Sequence, residues 1–199
     1  DGINAVYSVA YEIDEKLGTD YLQRFNRWLT RIQDDNRMVV GAMTDPKGDR
    51  SKSPADQVDP DQYVHVVDRR EDGIVIRGAK LHMTGAVNSH EILVMPTAAM
   101  NESSKDYAVV CAVPIDAPGV KMVFGRQAND NRRDLKERID VGKPSFGAVG
   151  GEALLVFEDV FVPNENVFMD GETEFTGDLV YRFAAHHRAN YGACKTGLM

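Results

Sequence analysis

Between residues 38 and 163 the chain carries seven short runs rich in Val and Ile: MVVGAMT, YVHVVDR, GIVIRGAKLHMTG, HEILVMPTAAM, DYAVVCAVPI, GVKMVFG and EALLVFEDVFVP. Turn-forming stretches such as EDG, AVNS and DAPG separate them. Such runs suit a pleated, half-buried surface. At this spacing they predict a β-barrel or sandwich, not a parallel α/β sheet. Neither a P-loop nor a GxGxxG turn occurs, so a nucleotide-binding Rossmann unit is not supported.

Helical periodicity flanks this β region. INAVYSVAYEIDEKLG and TDYLQRFNRWLTRIQDD both repeat apolar residues at three- and four-residue intervals. Gly18 stops the first, Thr19 and Asp20 offer an N-cap to the second, and Trp28 lies on its apolar face. The helical period returns from about Thr173. The expected class is α+β in three parts: the end of an N-terminal helical domain (1–37), a middle β domain (38–170), and the first helix of a C-terminal helical domain (171–199). With no initiator Met, the chain reads as an internal piece of a longer protein.

A net charge of −8 argues against a nucleic-acid binder, which needs clustered Lys and Arg. The one basic run, RQANDNRRDLKER, is interleaved with acids and reads as a solvated loop. No apolar run approaches the ~20 residues that span a bilayer, and no secretory leader is visible, so no membrane partner and a cytoplasmic location are expected. Cys111, inside YAVVCAVPI, reads as a small buried hydrophobe, and a disulfide to Cys194 is not expected.

Three stretches carry candidate chemistry. In GAMTDPKGDRSKSP, Thr44 and Asp45 can bond backbone amides, Pro46 and Gly48 punctuate a turn, and Lys47, Arg50 and Lys52 add positive charge. Such a loop suits a pyrophosphate, and it also suits a plain polar connection. In GAKLHMTGAVNS, Thr84 ends a strand, where its hydroxyl can reach the polar edge of a flat ring, with His82 and Met83 lining its face. Ordinary strand alternation accounts for the same pattern. The tail HHRANYGACK puts Val180, Phe183, Ala184, His187, Tyr191, Cys194 and Leu198 on one helical stripe, with Lys195 one step round and His186 turned to solvent. Imidazole and thiolate are both iron or zinc ligands, yet two of them cannot close a site, and a packed histidine with a small apolar cysteine fits the spacing as well. Glu152, beside two glycines and an apolar strand, is either a desolvated acid/base or a turn residue in water.

Together, GAMTDPKGDRSKSP, DGIVIRGAKLHMTGAVNSHEILVMPT, FGRQANDNRRD, FGAVGGEALLVFEDVFVPNENVFMDGE and HHRANYGACKTG resemble the 4-hydroxybutyryl-CoA dehydratases, which also isomerise vinylacetyl-CoA. The wider group has an acyl-CoA dehydrogenase-like architecture and includes flavin-dependent 4-hydroxyphenylacetate 3-monooxygenases. The resemblance implies that Met43, Thr44, Asp45, Pro46, Lys47, Gly48, Asp49 and Arg50 wrap FAD, with His82, Met83 and Thr84 beside its ring. It implies that His187 and Cys194 are two of four ligands to a [4Fe-4S] cluster, and that His187, Glu152, Tyr191 and Lys195 are acid/base and polarising groups. The implied reaction dehydrates 4-hydroxybutyryl-CoA, or a related acyl-CoA, to crotonyl-CoA through one-electron oxidation by the flavin, with the cluster as Lewis acid. A homotetramer serving anaerobic 4-aminobutyrate degradation is implied as well. The family's other two cluster ligands, cysteines spaced Cys-x3-Cys, do not occur in this sequence. The alternatives are an aromatic monooxygenase using the same β domain without iron, and a non-catalytic fragment.

Overall fold

The computed structural model describes residues 1–125 and 152–197, apart from the side chains of Tyr191, Cys194 and Lys195. Two helices come first, α1 (Gly2–Leu17) and α2 (Tyr21–Asp34). Eight strands follow: β1 (Val39–Ala42), β2 (His65–Arg69), β3 (Gly73–Thr84), β4 (Glu91–Val94), β5 (Val109–Pro114), β6 (Val120–Gly125), β7 (Glu152–Pro163) and β8 (Val167–Asp170). A third helix, α3 (Thr176–Gly197), closes the order. The sequence pattern does not mark β8.

The first helix stops at Gly18, which adopts φ 70 and donates its amide to Asp14 O. The expected cap of α2 is supplied differently. Asp20 occupies the N-cap position without a side-chain bond there, and the Asp14 carboxylate of α1 accepts the amides of Tyr21 and Leu22, each at 2.9 Å. One acid thus satisfies two orphan donors and sets the turn between the helices.

The strands form two four-stranded sheets, ordered β1-β4-β5-β8 and β2-β3-β7-β6. The described strands do not close into a barrel, which corrects the barrel expected for the middle region. Strands β1, β4 and β8 have four residues each, too few for the tilt and stagger that closure demands. All pairs are antiparallel except β1 with β4. One apolar cluster draws buried residues from both sheets and from all three helices. Helix α2 docks on β8 through aromatic rings: Phe25 meets Phe168 edge-on at 5.1 Å, and Trp28 lies 5.6 Å from Phe168. Polar struts join the sheets where apolar contact stops, as where Arg69 of β2 forks onto Asp170 of β8. Among the described residues no helix is long and apolar enough to cross a membrane.

Candidate functional site

The longest pairing, β3 against β7, breaks register twice, and the second break builds the site. Lys80 pairs with Leu155 and Met83 with Ala153, so β3 holds one residue more than its partner there. The backbone absorbs the extra residue at His82, which takes φ 59, a left-handed conformation uncommon outside glycine. Alternation resets after it. Met83 turns into the core, while His82 and Thr84 both remain exposed. The predicted ring-lining role therefore divides: His82 and Thr84 are available to a ligand, and Met83 is packed.

Glu152, the first residue of β7, stands opposite Thr84. Its Oε2 lies 2.9 Å from His82 Nδ1, and Thr84 Oγ1 donates to Oε1 at 3.4 Å. A carboxylate, an imidazole and a hydroxyl thus share one cluster, and a proton can pass between Nδ1 and Oε2 without rearrangement. The sequence placed Glu152 and His82 on the candidate roster separately; the bulge brings them together.

The loop leaving β1 runs past the same bulge, because Thr44 O accepts the Leu81 amide at 2.8 Å. Asp45 points inward, the reverse of a ligand-facing acid. Its Oδ1 takes Lys80 Nζ at 2.5 Å, and its Oδ2 takes the Thr97 hydroxyl. Beyond it, Gln57 accepts the Asp49 amide at 3.0 Å and donates to Asp49 O at 2.9 Å, and Gln62 reaches Pro46 O. Asp49 gathers Ser51 through hydroxyl and amide, bonds that hold its carboxyl below the usual range. Lys47, Arg50 and Lys52 stay exposed, and the amides of Lys47, Gly48 and Arg50 have no partner among the described residues. Unspent amides beside exposed cations are what a phosphate-bearing group needs, so the loop fits a pyrophosphate.

The upper part of the expected stripe packs as predicted, with Val180 and Phe183 against the core, and the departure lies in its histidines. Helix α3 packs through Leu179, with Phe183 and His186 partly covered, and His187 is the exposed histidine. This reverses the expected placing of His186 in solvent, because α3 meets α1 through a face turned from the predicted one; Arg182 Nη2 lies 2.6 Å from Glu12 Oε1. The His187 ring stacks on Phe183 at 6.0 Å and its Nδ1 lies 3.4 Å from Asp1 Oδ2. That contact leaves Nε2 for a ligand or proton. The backbone of Tyr191, Cys194 and Lys195 is helical, but their side chains lie outside the described residues, as does the loop RQANDNRRDLKER. Among the described residues no three His, Cys, Asp or Glu side chains gather at a metal-binding spacing. Cys111 is fully buried, and burial pushes its thiol up to about 12, as suits an inert core cysteine.

Lys80 and Thr97 were not anticipated. For Lys80 a signal existed: it shares strand parity with Ile74, Ile76 and Gly78, all facing inward.

Known proteins match this chain over its whole length. A 4-hydroxybutyryl-CoA dehydratase/vinylacetyl-CoA-Δ-isomerase from Clostridium aminobutyricum is 52% identical over 199 residues, covering 100% of this chain and 40% of that protein. The structure of an oxygen-tolerant archaeal 4-hydroxybutyryl-CoA dehydratase from N. maritimus is 48% identical with a TM-score of 0.89, covering 100% of this chain and 39% of that one. The oxygenase component of 4-hydroxyphenylacetate 3-monooxygenase, complexed with FAD, is 28% identical with a TM-score of 0.69, over 90% of this chain and 36% of that one. A steroid ACAD shares the fold alone, at 17% identity and a TM-score of 0.51. The chain spans about two fifths of the length of the curated dehydratase it matches. Residues 1–169 match the family described as 4-hydroxyphenylacetate 3-hydroxylase N terminal, and the chain belongs to that family.

Proposed function

We propose that this chain is the flavin-site portion of a 4-hydroxybutyryl-CoA dehydratase that also isomerises vinylacetyl-CoA, within a longer, cytoplasmic polypeptide. One observation carries the choice over an aromatic monooxygenase. The dehydratase is 52% identical over all 199 residues, the stretch bearing His187, Tyr191, Cys194 and Lys195 included, against 28% over 90% of this chain for the FAD-bound oxygenase. The three-part division at residues 37/38 and 170/171 belongs to the same proposal.

When bound, FAD would supply one-electron redox chemistry and a [4Fe-4S] cluster a Lewis-acid site. The chain's own residues do the rest. Lys47, Arg50 and the free loop amides hold the phosphates. His82 and Thr84 face the flat ring from the bulge. Glu152, gripped by both, exchanges a proton across its 2.9 Å contact with His82 Nδ1. His187 and Cys194 would give two cluster ligands, and His187 would take a substrate proton, with Tyr191 and Lys195 polarising the thioester of 4-hydroxybutyryl-CoA or a related acyl-CoA. This chain fits FAD through a complete loop, and it fits the cluster only in part. The tetramer and the service to anaerobic 4-aminobutyrate breakdown belong to the same reading.

The test is iron, acid-labile sulfide and flavin per polypeptide in the full-length protein purified without oxygen, followed by dehydration of 4-hydroxybutyryl-CoA. About four irons with about one FAD, and crotonyl-CoA formed, are expected. Flavin without iron, with hydroxylation of 4-hydroxyphenylacetate by added reduced flavin, would replace the dehydratase with the monooxygenase.

A further inference from the structure

Lys80 is 2% exposed, and its ammonium is fully spent. Nζ donates to Met43 O at 3.0 Å, to Met95 O at 2.7 Å and to Asp45 Oδ1 at 2.5 Å, the three donors that an ammonium owns. Asp45 is closed from the other side by the Thr97 hydroxyl. Two acceptors, Met43 and Asp45, lie in the loop leaving β1. The third, Met95, and the Thr97 hydroxyl lie just past β4, and the lysine itself stands at the edge of the β3 bulge. Three segments therefore meet on one cation. Around it Tyr63, Met95, Met100 and Tyr107 enclose a small cavity. Burial lowers the lysine from its ordinary value and Asp45 pulls it back.

A buried ion pair is a poor means of gaining stability, because desolvation offsets most of the attraction and apolar residues of like volume serve as well. What it gives is a fixed geometry: the pair is satisfied in one arrangement only, and any shift of the loop root strands a charge. The exposed part of the loop, Lys47 to Lys52, is thereby presented from a root bonded to Lys80 at two points.

We propose that Lys80 is a positioning residue that sets the root of the Met43–Arg50 loop, through Asp45, in the shape that receives the phosphates of the flavin. The inference rests on the reading of that loop as the FAD site. Its role is exerted through Asp45 and the Met43 carbonyl. With Lys80 in place, the ordering of the loop precedes binding; without it, binding must supply that ordering and affinity falls.

The experiment uses full-length protein stripped of flavin, with FAD as the probe, in the parent, Lys80→Met, Asp45→Asn, Thr97→Val and the Lys80→Met/Asp45→Asn double variant. FAD dissociation constants are taken from flavin fluorescence well below each variant's melting temperature, and the melting of each flavin-free form is recorded separately. Lys80→Met and Asp45→Asn are each expected to weaken FAD by about tenfold or more, and the double variant no more than the worse single. Thr97→Val, which removes one bond from the same carboxylate, weakens it less. A merely structural lysine would lower melting and leave the dissociation constant of the folded protein unchanged, and that result overturns the proposal. So do independent, additive effects, or a normal Asp45→Asn, since Lys80 would then not act through Asp45. If Lys80→Met does not fold, Asp45→Asn and Thr97→Val decide, because both keep the lysine. A parent that binds no FAD removes the flavin reading and this proposal with it. A parent that binds FAD beside variants that bind it equally removes this proposal alone.

Discussion

Replacing Glu91 by alanine is expected to destabilise the fold by about 3–7 kcal/mol, a large share of a domain's stability. Glu91 opens β4, has no solvent exposure, and accepts the Trp28 indole NH on Oε2 at 3.1 Å. Its Oε1 lies 3.3 Å from Arg37 Nη1 and 3.5 Å from Arg31 Nη2. Alanine leaves the buried indole NH without an acceptor, at about 1–3 kcal/mol, and removes roughly two methylene-sized groups from packing, at about 0.8 kcal/mol each. The arginine side chains are 41% and 37% exposed, so water re-solvates them and each lost contact counts for about 1 kcal/mol or less. The asymmetry gives a sharper test. Arg31→Ala or Arg37→Ala alone should cost little, because the other still faces the carboxylate. The double variant should cost clearly more than the two singles together, because a buried charge is then uncompensated. Trp28 is the chain's one tryptophan and touches the carboxylate directly, so urea unfolding followed by its fluorescence reads the site itself. A Glu91→Ala loss under about 1 kcal/mol, or additive arginine effects, would refute the argument that α2 is clamped to β4 by a buried charge.

Gly78→Ala should cost at least about 3 kcal/mol, since Gly78 holds φ 126 and an added Cβ would lie 2.3 Å from Tyr63 O; a loss of melting temperature without aggregation is the readout. Cys111 should resist iodoacetamide in the folded protein and react only as urea exposes it. Above about pH 9 the unfolded chain releases the Cys111 proton and the folded chain holds it to about 12, so stability should fall across that window, and less steeply in Cys111→Ala.

Much of the architecture was legible because it rests on periodicity. The helices of 1–35, seven of the eight strands among the described residues and the turn at Gly18 follow from spacing of apolar residues and from glycine. The closure of the sheets did not, since apolar alternation says which face is buried and nothing about whether edges meet. The rotation of α3 was lost for a related reason. Phe183 lies on both possible stripes, and only the partner helix, through Glu12 and Arg182, decides between the faces containing His186 and His187.

Where pattern reading failed at the site, it failed on polar residues that turn inward. Charge in a sequence is assigned to water by default, so neither the inward pairing of Asp45 nor the burial of Lys80 and Glu91 is visible there. Each of the three is paired: Asp45 with Lys80 and Thr97, Lys80 with two carbonyls besides, Glu91 with an indole and two arginines. Such partners lie 15 to 63 positions away in the chain, beyond the reach of any local pattern. The same distance explains the site. The loop after β1, the bulge of β3 and the start of β7 are separate in sequence, and Leu81 to Thr44 with His82 to Glu152 make them neighbours. The β3 bulge is the hinge of that arrangement. On one side of it Lys80 faces in and anchors the loop root; two residues on, His82 faces out and holds the acid. A strand without the extra residue would turn His82 toward the same side as Lys80, and the acid would lose its contact with the imidazole.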